Sequence, residues 1–187
     1  MSLDHAILGF LNYRAISGYD LKKMFDNSVQ HFWPADQSQI YRTLRRLEEQ
    51  GYVEMEKIEQ TSRPDRKVYH ITASGREELR RWLMAPPPMD APRSAPLVQI
   101  FFLGQMPNEM ILEKFEGFAA MMRGILQVYD QVPSKIGEYI DMVGSPRETY
   151  FWLLTLDMGI RTTQAHLEWA ENVIKQLKAG QVPKEYG

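Results

Sequence analysis

Residues 36–51 read Asp-Gln-Ser-Gln-Ile-Tyr-Arg-Thr-Leu-Arg-Arg-Leu-Glu-Glu-Gln-Gly, and this stretch decides the fold. On a helix that turns about 100° per residue, Leu44 and Leu47 fall within about 40° of Ile40, so the three side chains form one apolar stripe. Gly51 follows as a helix-terminating C′ residue would. The pattern predicts a helix from about Asp36 to Gln50 that packs on a core through this stripe.

The opposite side of the same helix is polar and rich in arginine. Arginine and glutamine side chains read guanine and adenine edges or grip phosphate oxygens, so this side is a candidate DNA-reading surface. The same charges can also form a solvated helix face, stabilised by pairs such as Arg45 with Glu49 at i,i+4. The helix alone leaves both interpretations open. The polar side consists of Ser38, Gln39, Arg42, Arg45, Arg46 and Glu49.

The elements around this helix favour the DNA-reading interpretation. Two amphipathic helices precede it, and the second opens at Ser17 with Asp20 three residues later. Residues 52–58 and 67–71 then alternate apolar and polar side chains as the strands of a hairpin do. A fourth helix follows, capped by Thr72 or Ser74. This is the element order of a winged helix-turn-helix, in which the third helix enters the major groove and the second crosses the phosphate backbone.

Further candidate contacts with DNA lie on the second helix and at the hairpin tip, which forms the wing. Both places carry lysine or arginine, and Tyr41 at the edge of the apolar stripe either packs in the core or touches phosphate. The complete set of candidate DNA-binding residues is Lys22, Lys23, Ser38, Gln39, Tyr41, Arg42, Arg45, Arg46, Arg63, Arg66 and Lys67.

A proline-rich stretch divides the chain. Proline lacks a backbone donor and disfavours helix, so residues 86–96 are predicted to form an extended linker. Residues 1–85 would then be the winged-helix DNA-binding domain. Residues 97–187 lack a strand pattern and are predicted to form an all-helical domain for dimerisation and effector binding. The fold class expected from this organisation is mainly α.

The second part is predicted to contain one amphipathic helix from Asn108 to Pro133, a short one ending at Gly144, and a long one from Ser145 to about Ala179. The long helix would extend about 50 Å. A domain this small cannot bury the whole apolar face of such a helix, so we expect a homodimer. The candidate dimerisation residues are Phe115, Phe118, Met122, Tyr150, Leu154, Trp169 and Leu177.

Composition and charge exclude several classes of function. The 187 residues include no cysteine, and 22 Lys and Arg against 24 Asp and Glu give a net charge of −2. Thiol catalysis, disulfide scaffolds and indiscriminate coating of nucleic acid are therefore excluded. The four histidines lie on separate predicted elements without a catalytic or metal-binding motif, so we expect no enzyme, metal or cofactor. No apolar window is long enough to span a membrane. Because Asp4 and His5 do not fit a secretory signal, we expect a cytoplasmic location.

Residues 5–83 resemble the PadR-type winged-helix transcription regulators. The residues that carry the resemblance are Gly-Tyr-Asp-Leu at 18–21, Phe-Trp-Pro at 32–34, the apolar positions of 40–53, Arg-Lys-x-Tyr-x-Ile-Thr at 66–72, and Gly-x-x-x-Leu-x-x-Trp-Leu at 75–83. The second half is similar to the helical C-terminal region of the longer PadR subfamily, which includes virulence-gene activators. One departure is Asp36, which suits a helix cap better than a DNA contact.

The resemblance implies a homodimer that binds pseudo-palindromic operator DNA as a repressor. By family position, Gln39, Tyr41, Arg42, Arg45 and the wing residues 66–67 would contact DNA. Many family members respond to small aromatic or amphipathic molecules, and the aromatic and methionine side chains of the second half could line a pocket for one. Two alternatives remain: a winged-helix protein-interaction module that binds no DNA, and a small helical enzyme.

Overall fold

The computed structural model describes residues 2–29, 32–59, 66–86, 94–143 and 145–183, with the backbone alone over 133–143. The chain divides into two compact units, Met1–Met89 and Asp90–Gly187. Helices dominate both units, and a small antiparallel sheet belongs to the first. The predicted fold class is confirmed. Arg63, a candidate wing residue, lies outside the described residues.

The first unit has the predicted order of helices and strands, with one strand more than the sequence indicated. Ile16–Ser17 forms a short strand that pairs with the second hairpin strand, so the sheet has three strands. Two residues are too few to carry an alternating pattern, and the strand exists only because its partner is present. The elements are α1 Ser2–Tyr13, β1 Ile16–Ser17, α2 Gly18–Asn27, α3 Gln37–Glu49, β2 Val53–Ile58, β3 Arg66–Ile71 and α4 Ala73–Met84.

Helix ends in this unit follow their local sequences. The Ser17 hydroxyl accepts a hydrogen bond from the Asp20 amide at 3.2 Å and caps α2. Gly51 adopts a φ of 71°, which favours glycine, and ends α3. Thr72, rather than Ser74, caps α4 by accepting from the Gly75 amide at 3.0 Å. The unit is held together by fully buried apolar side chains: Ile7, Leu8, Leu21, Phe25, Ile40, Leu44, Leu47 and Val53.

The second unit begins earlier than the linker prediction allowed. Ser94 caps helix α5, Ala95–Phe101, and Pro96 lies in its first turn. Proline is tolerated there because the backbone donor it lacks has no partner inside the helix. The prediction that 86–96 is extended throughout is therefore wrong at its last two residues, and its residues 87–93 lie outside the described part.

Helix α6, Asn108–Val143, corrects a second prediction, because it runs through Pro133 without ending. Proline removes one i→i−4 hydrogen bond and costs about 3 kcal/mol in a helix interior. A 36-residue helix retains its other backbone bonds on both sides of that position. Among the helices predicted for the second unit, α7, Pro146–Lys178, does have the predicted bounds, with Ser145 as its cap.

Helices α6 and α7 pack against each other along their lengths. Arg123 pairs with Glu171 at 2.6 Å and Lys178 with Glu116 at 2.6 Å, so the beginning of α6 faces the end of α7 and the helices run antiparallel. A short 3₁₀ turn, Leu103–Gln105, leads from α5 to this pair. The cluster between the elements contains Leu103, Ile111, Phe115, Ala119 and Ala170.

This packing occupies most of the predicted dimerisation residues within one chain. Phe115 and Met122 retain only 5% and 7% of their surface, so the expected role of these two at a dimer interface is wrong. Phe118 and Leu177 are partly buried against the same cluster, and the Trp169 ring lies 5.3 Å from that of Phe115. Sequence reasoning held that one chain cannot bury the whole apolar face of α7; α6 covers part of that face within the same chain, and these five residues lie in the covered part or beside it.

The remaining two predicted dimerisation residues lie on an exposed surface. Tyr150 and Leu154 are exposed, and Phe151 and Met158 extend the same region along α7. We call these four residues the α7 apolar face. Their spacing places them opposite the buried residues of α7, Leu156, Thr163 and Ala170.

Candidate nucleic-acid interface

Helix α3 is held from both flanks of its buried stripe. On one flank the Arg46 guanidinium forms an ion pair with Asp4 of α1. On the other flank the Tyr41 ring lies against Gly18 at the start of α2. Between these flanks, on the side away from the core, Ser38, Arg42 and Arg45 are exposed. The structure thus separates the candidate residues of α3 into two that contact neighbouring helices and a polar face open to a partner.

The close approach of α2 and α3 depends on Gly18. A β-carbon at this position would lie 2.5 Å from Cε1 of Tyr41, nearer than any side chain tolerates. Tyr41 itself remains partly exposed, so its hydroxyl is available at the edge of the interface. Of the two roles considered for Tyr41, packing is therefore observed, and contact with phosphate stays a prediction.

The first turn of α3 is fixed by a capping box. The backbone N–H of Gln39 donates to Asp36 Oδ1 at 2.7 Å, and the backbone N–H of Asp36 donates to the side-chain oxygen of Gln39, Oε1, at 2.9 Å. The expected role of Asp36 as a cap is confirmed. Because the carbonyl oxygen of Gln39 is used in the cap, its amino group is the part left to contact a base or phosphate.

Three of the candidate cations are paired with aspartates. Lys22 pairs with Asp26 one turn later on α2, Arg46 with Asp4, and Arg66 with Asp20. Lys23 instead lies over the Tyr19 ring, 4.7 Å from its centroid. Each of the three aspartates lowers the positive charge that the first unit presents to a polyanion.

Three other candidate cations remain without such a partner. Within the described ranges of the chain, Arg42, Arg45 and Lys67 take part in no ion pair, and all three are exposed. Arg42 and Arg45 project from α3, and Lys67 lies on β3. We call these three residues the unpaired cations.

Tyr69 connects α3 to the wing strand. Burial raises the pKa of its phenol, Glu48 and Tyr41 raise it further, and Arg45 lowers it. These α3 side chains are therefore close enough to Tyr69 to act on its phenol electrostatically. Lys67 is two residues from Tyr69 on β3, so the two side chains lie on the same face of the sheet.

Sequence reasoning missed the residues that position this surface. Gly18 gave no sign of its contact with Tyr41, and the Asp4–Arg46 pair joins positions far apart in the chain. The Lys22–Asp26 pair could have been found from its i,i+4 spacing. In the described residues no three His, Asp or Glu side chains gather as metal ligands would. None of the helices described there is both long and apolar enough to cross a bilayer.

Comparison with known proteins identifies the family. The pattern described as "Transcriptional regulator PadR-like family" matches residues 7–81, and "Virulence activator alpha C-term" matches residues 92–178. The "Probable transcriptional regulator Rv1176c" of Mycobacterium tuberculosis is 33% identical over 95% of this chain and 98% of its own. The chain belongs to the PadR-like family of transcriptional regulators.

Solved structures of PadR-like proteins share the fold. Bacillus subtilis PadR in complex with operator DNA has a TM-score of 0.82 at 24% identity, covering 95% of this chain and 99% of the other. The same protein in complex with p-coumaric acid has a TM-score of 0.74 at 23% identity, again covering 95% of this chain and 99% of the other. The Vibrio cholerae virulence activator AphA has a TM-score of 0.74 at 26% identity, covering 95% of this chain and 98% of the other.

These matches confirm the predicted resemblance in both halves of the chain. They also confirm the predicted class of function, since the PadR-like family consists of transcriptional regulators and not of enzymes. The small helical enzyme is thereby excluded as an alternative.

Proposed function

We propose that this PadR-like regulator acts as a homodimeric repressor that binds a pseudo-palindromic operator. Helix α3 of each copy enters the major groove, where Arg42 and Arg45 contact base edges, and Lys67 of the wing contacts phosphate. The carrying observation is the exposed α3 face, on which both arginines lack an ion-pair partner in the described part of the chain. A regulator that binds chromosomal DNA works in the cytoplasm, where we place it.

The division of labour between the two units is part of the proposal. Residues 1–85 bind DNA, and residues 97–187 join two copies and hold an effector. The Bacillus subtilis relative, solved with operator DNA, supports DNA binding, and the PadR-like match at residues 7–81 supports placing that role in the first unit. Two copies related by a two-fold axis would present two α3 helices about one DNA turn apart.

The α7 apolar face is the surface that we assign to the dimer. Tyr150, Leu154 and Met158 follow one another at i,i+4 spacing, and together with Phe151 they leave large apolar area in water. Contiguous apolar patches of this kind mark protein interfaces. A second copy, presenting the same face, covers this one in the arrangement we propose.

An effector fits a cavity in the second unit. The cavity has a volume of about 660 Å³ and its walls include the side chains of Phe118, Met121 and Trp169. Lys114 and His166 add polar groups to this lining. The combination suits a small aromatic or amphipathic molecule with an anionic end. The Bacillus subtilis relative, solved with p-coumaric acid, supports this class of ligand.

Fluorescence anisotropy with the DNA that co-purifies with the protein tests the proposal. Binding that weakens steeply between about 50 and 200 mM salt is expected, because each phosphate contact releases counterions. Absent or salt-insensitive binding would contradict DNA recognition and favour the protein-interaction module.

The effector is tested separately with a panel of aromatic carboxylates. We expect at least one to raise the melting temperature and to release labelled operator DNA. Trp169→Ala should abolish both effects, whereas Gln176→Ala, on the same helix but not in the cavity lining, should leave them intact. A panel without either effect on the wild-type protein would contradict this cavity as the effector site.

A further inference from the structure

Three side chains tie the wing to the beginning of α2. The Ser17 hydroxyl donates to Asp20 Oδ2 at 2.7 Å, and Arg66 Nη2 donates to the same oxygen. Ser17 is also the β1 residue that pairs with Val68 of β3. Backbone pairing and side-chain contacts therefore act at the same place, where β1 passes into α2.

The carboxyl group of Asp20 is ionised in this arrangement. Its partial burial alone would raise its pKa, but the hydrogen bond from Ser17 and the Arg66 guanidinium together hold the pKa below its usual range. The charge of Arg66 is therefore balanced by a carboxylate at neutral pH. Lys67, the next residue, has no such partner within the residues that the structure describes.

An additional cation on a DNA-facing wing has a measurable effect. Each phosphate that a protein neutralises adds about 0.9 to the slope of log affinity against log salt, whatever the base sequence. A released Arg66 would therefore strengthen binding to every sequence alike. It would add nothing that distinguishes one sequence from another, because phosphate contacts carry no base information.

We propose that Asp20 is a specificity-determining positioning residue, which holds Arg66 as the anchor of the wing and keeps it from binding phosphate. The wing then contacts DNA through Lys67, and affinity for non-cognate DNA stays low. This inference rests on the proposed DNA docking, and it reassigns Arg66 from DNA contact to structural anchor.

The test uses full-length Asp20→Asn, because asparagine keeps the side-chain oxygen that Ser17 binds and removes the charge. Anisotropy is measured over a salt series with the co-purified operator and with a scrambled duplex. For the scrambled duplex we expect the slope of log affinity against log salt to steepen by about 0.9. The ratio of the affinity at about 50 mM salt to that at about 200 mM salt should therefore rise by about 3.5-fold. The ratio of operator to scrambled affinity should fall.

Matched variants separate this effect from a loss of folding. Arg66→Ala should keep the wild-type slope with the scrambled duplex, and Asp20→Asn combined with Arg66→Ala should return to it. Lys67→Ala should lose about 0.9 of the slope with both duplexes. An Arg66→Ala slope reduced as much as that of Lys67→Ala, or an Asp20→Asn slope equal to wild type, would overturn the inference.

Failure of the proposed function and failure of this inference give different results. If wild-type protein binds neither duplex, both are overturned. If wild type binds operator and Arg42→Ala weakens it while the Asp20→Asn slopes are unchanged, only the role of Asp20 is overturned.

Discussion

The ring of Tyr41 lies against the face of Gly18 where any other residue would carry a β-carbon, and that carbon would come within 2.5 Å of Cε1 of the ring. The contact joins the first turn of α2 to the flank of α3. The same α3 helix carries Arg42 and Arg45, so this contact is one of those that position both arginines relative to α2.

Gly18→Ala should displace the Tyr41 ring and alter the approach of α2 to α3. Overpacking of this kind costs about 1–3 kcal/mol of unfolding free energy, which thermal or urea unfolding followed by circular dichroism would measure. Gly9→Ala is the matched control, because a β-carbon at Gly9 of α1 meets nothing within 4 Å. That change should be neutral or stabilising, since alanine favours helix. Equal effects at the two glycines would contradict the contact.

Arg42→Ala and Arg45→Ala should each lower operator affinity by about 1–3 kcal/mol if the side chain reads a base. Both side chains are exposed, and neither takes part in an ion pair among the residues described, so both are free to contact DNA. Arg80→Ala removes the same charge from α4, where Arg80 pairs with Glu77, and should bind DNA as wild type does. Anisotropy measures all three. If both α3 variants bind like Arg80→Ala, the docking of α3 in the groove is wrong.

The stability of the first unit should depend on pH through Asp20. Its pKa is lowered in the folded state, so its stabilising contribution is complete above the unfolded value of about 4 and is lost as the pH falls through the folded value. The difference in unfolding free energy between wild type and Asp20→Asn should therefore be largest near neutral pH and shrink below about pH 4. Urea unfolding at a series of pH values measures this. A difference that grows towards acid would contradict an ionised Asp20.

Met158→Glu should convert the dimer to monomers without unfolding α7. The Met158 side chain is 66% exposed in one chain, so a carboxylate is tolerated there until a second copy covers it. Two such charges facing each other across a symmetric interface cost several kcal/mol. Gln176→Glu adds the same charge towards the end of α7 and should stay dimeric. Light scattering after size exclusion determines the mass, and a dimeric Met158→Glu would contradict the assignment of the α7 apolar face.

Features that depend on neighbouring residues could be predicted from the sequence. The stripe of Ile40, Leu44 and Leu47, the cap at Asp36 and the stop at Gly51 are all local, and all are confirmed. The order of the predicted helices and strands along the chain was sufficient to indicate the winged helix-turn-helix. The exposed arginines of α3 followed from the same helical geometry.

Features that depend on contacts between distant residues could not be predicted. Pro133 was expected to end a helix because local preference was the only information, whereas α6 continues through it. Phe115 and Met122 were assigned to a second copy because the sequence does not say that α6 and α7 pack together. Arg46 and Arg66 were predicted to contact DNA, and nothing in the sequence indicated that each forms an ion pair with an aspartate far away in the chain, Asp4 and Asp20.

The three aspartate pairings of the first unit have an evolutionary consequence. Asp4, Asp20 and Asp26 each balance one cation, and a single nucleotide change in the codon of any one converts it to asparagine. Each such change would uncover one positive charge while leaving the helices and strands in place. A descendant of this protein could thus gain general affinity for chromosomal DNA in small, separate steps, and selection for discrimination would act on these aspartates as well as on residues that contact DNA.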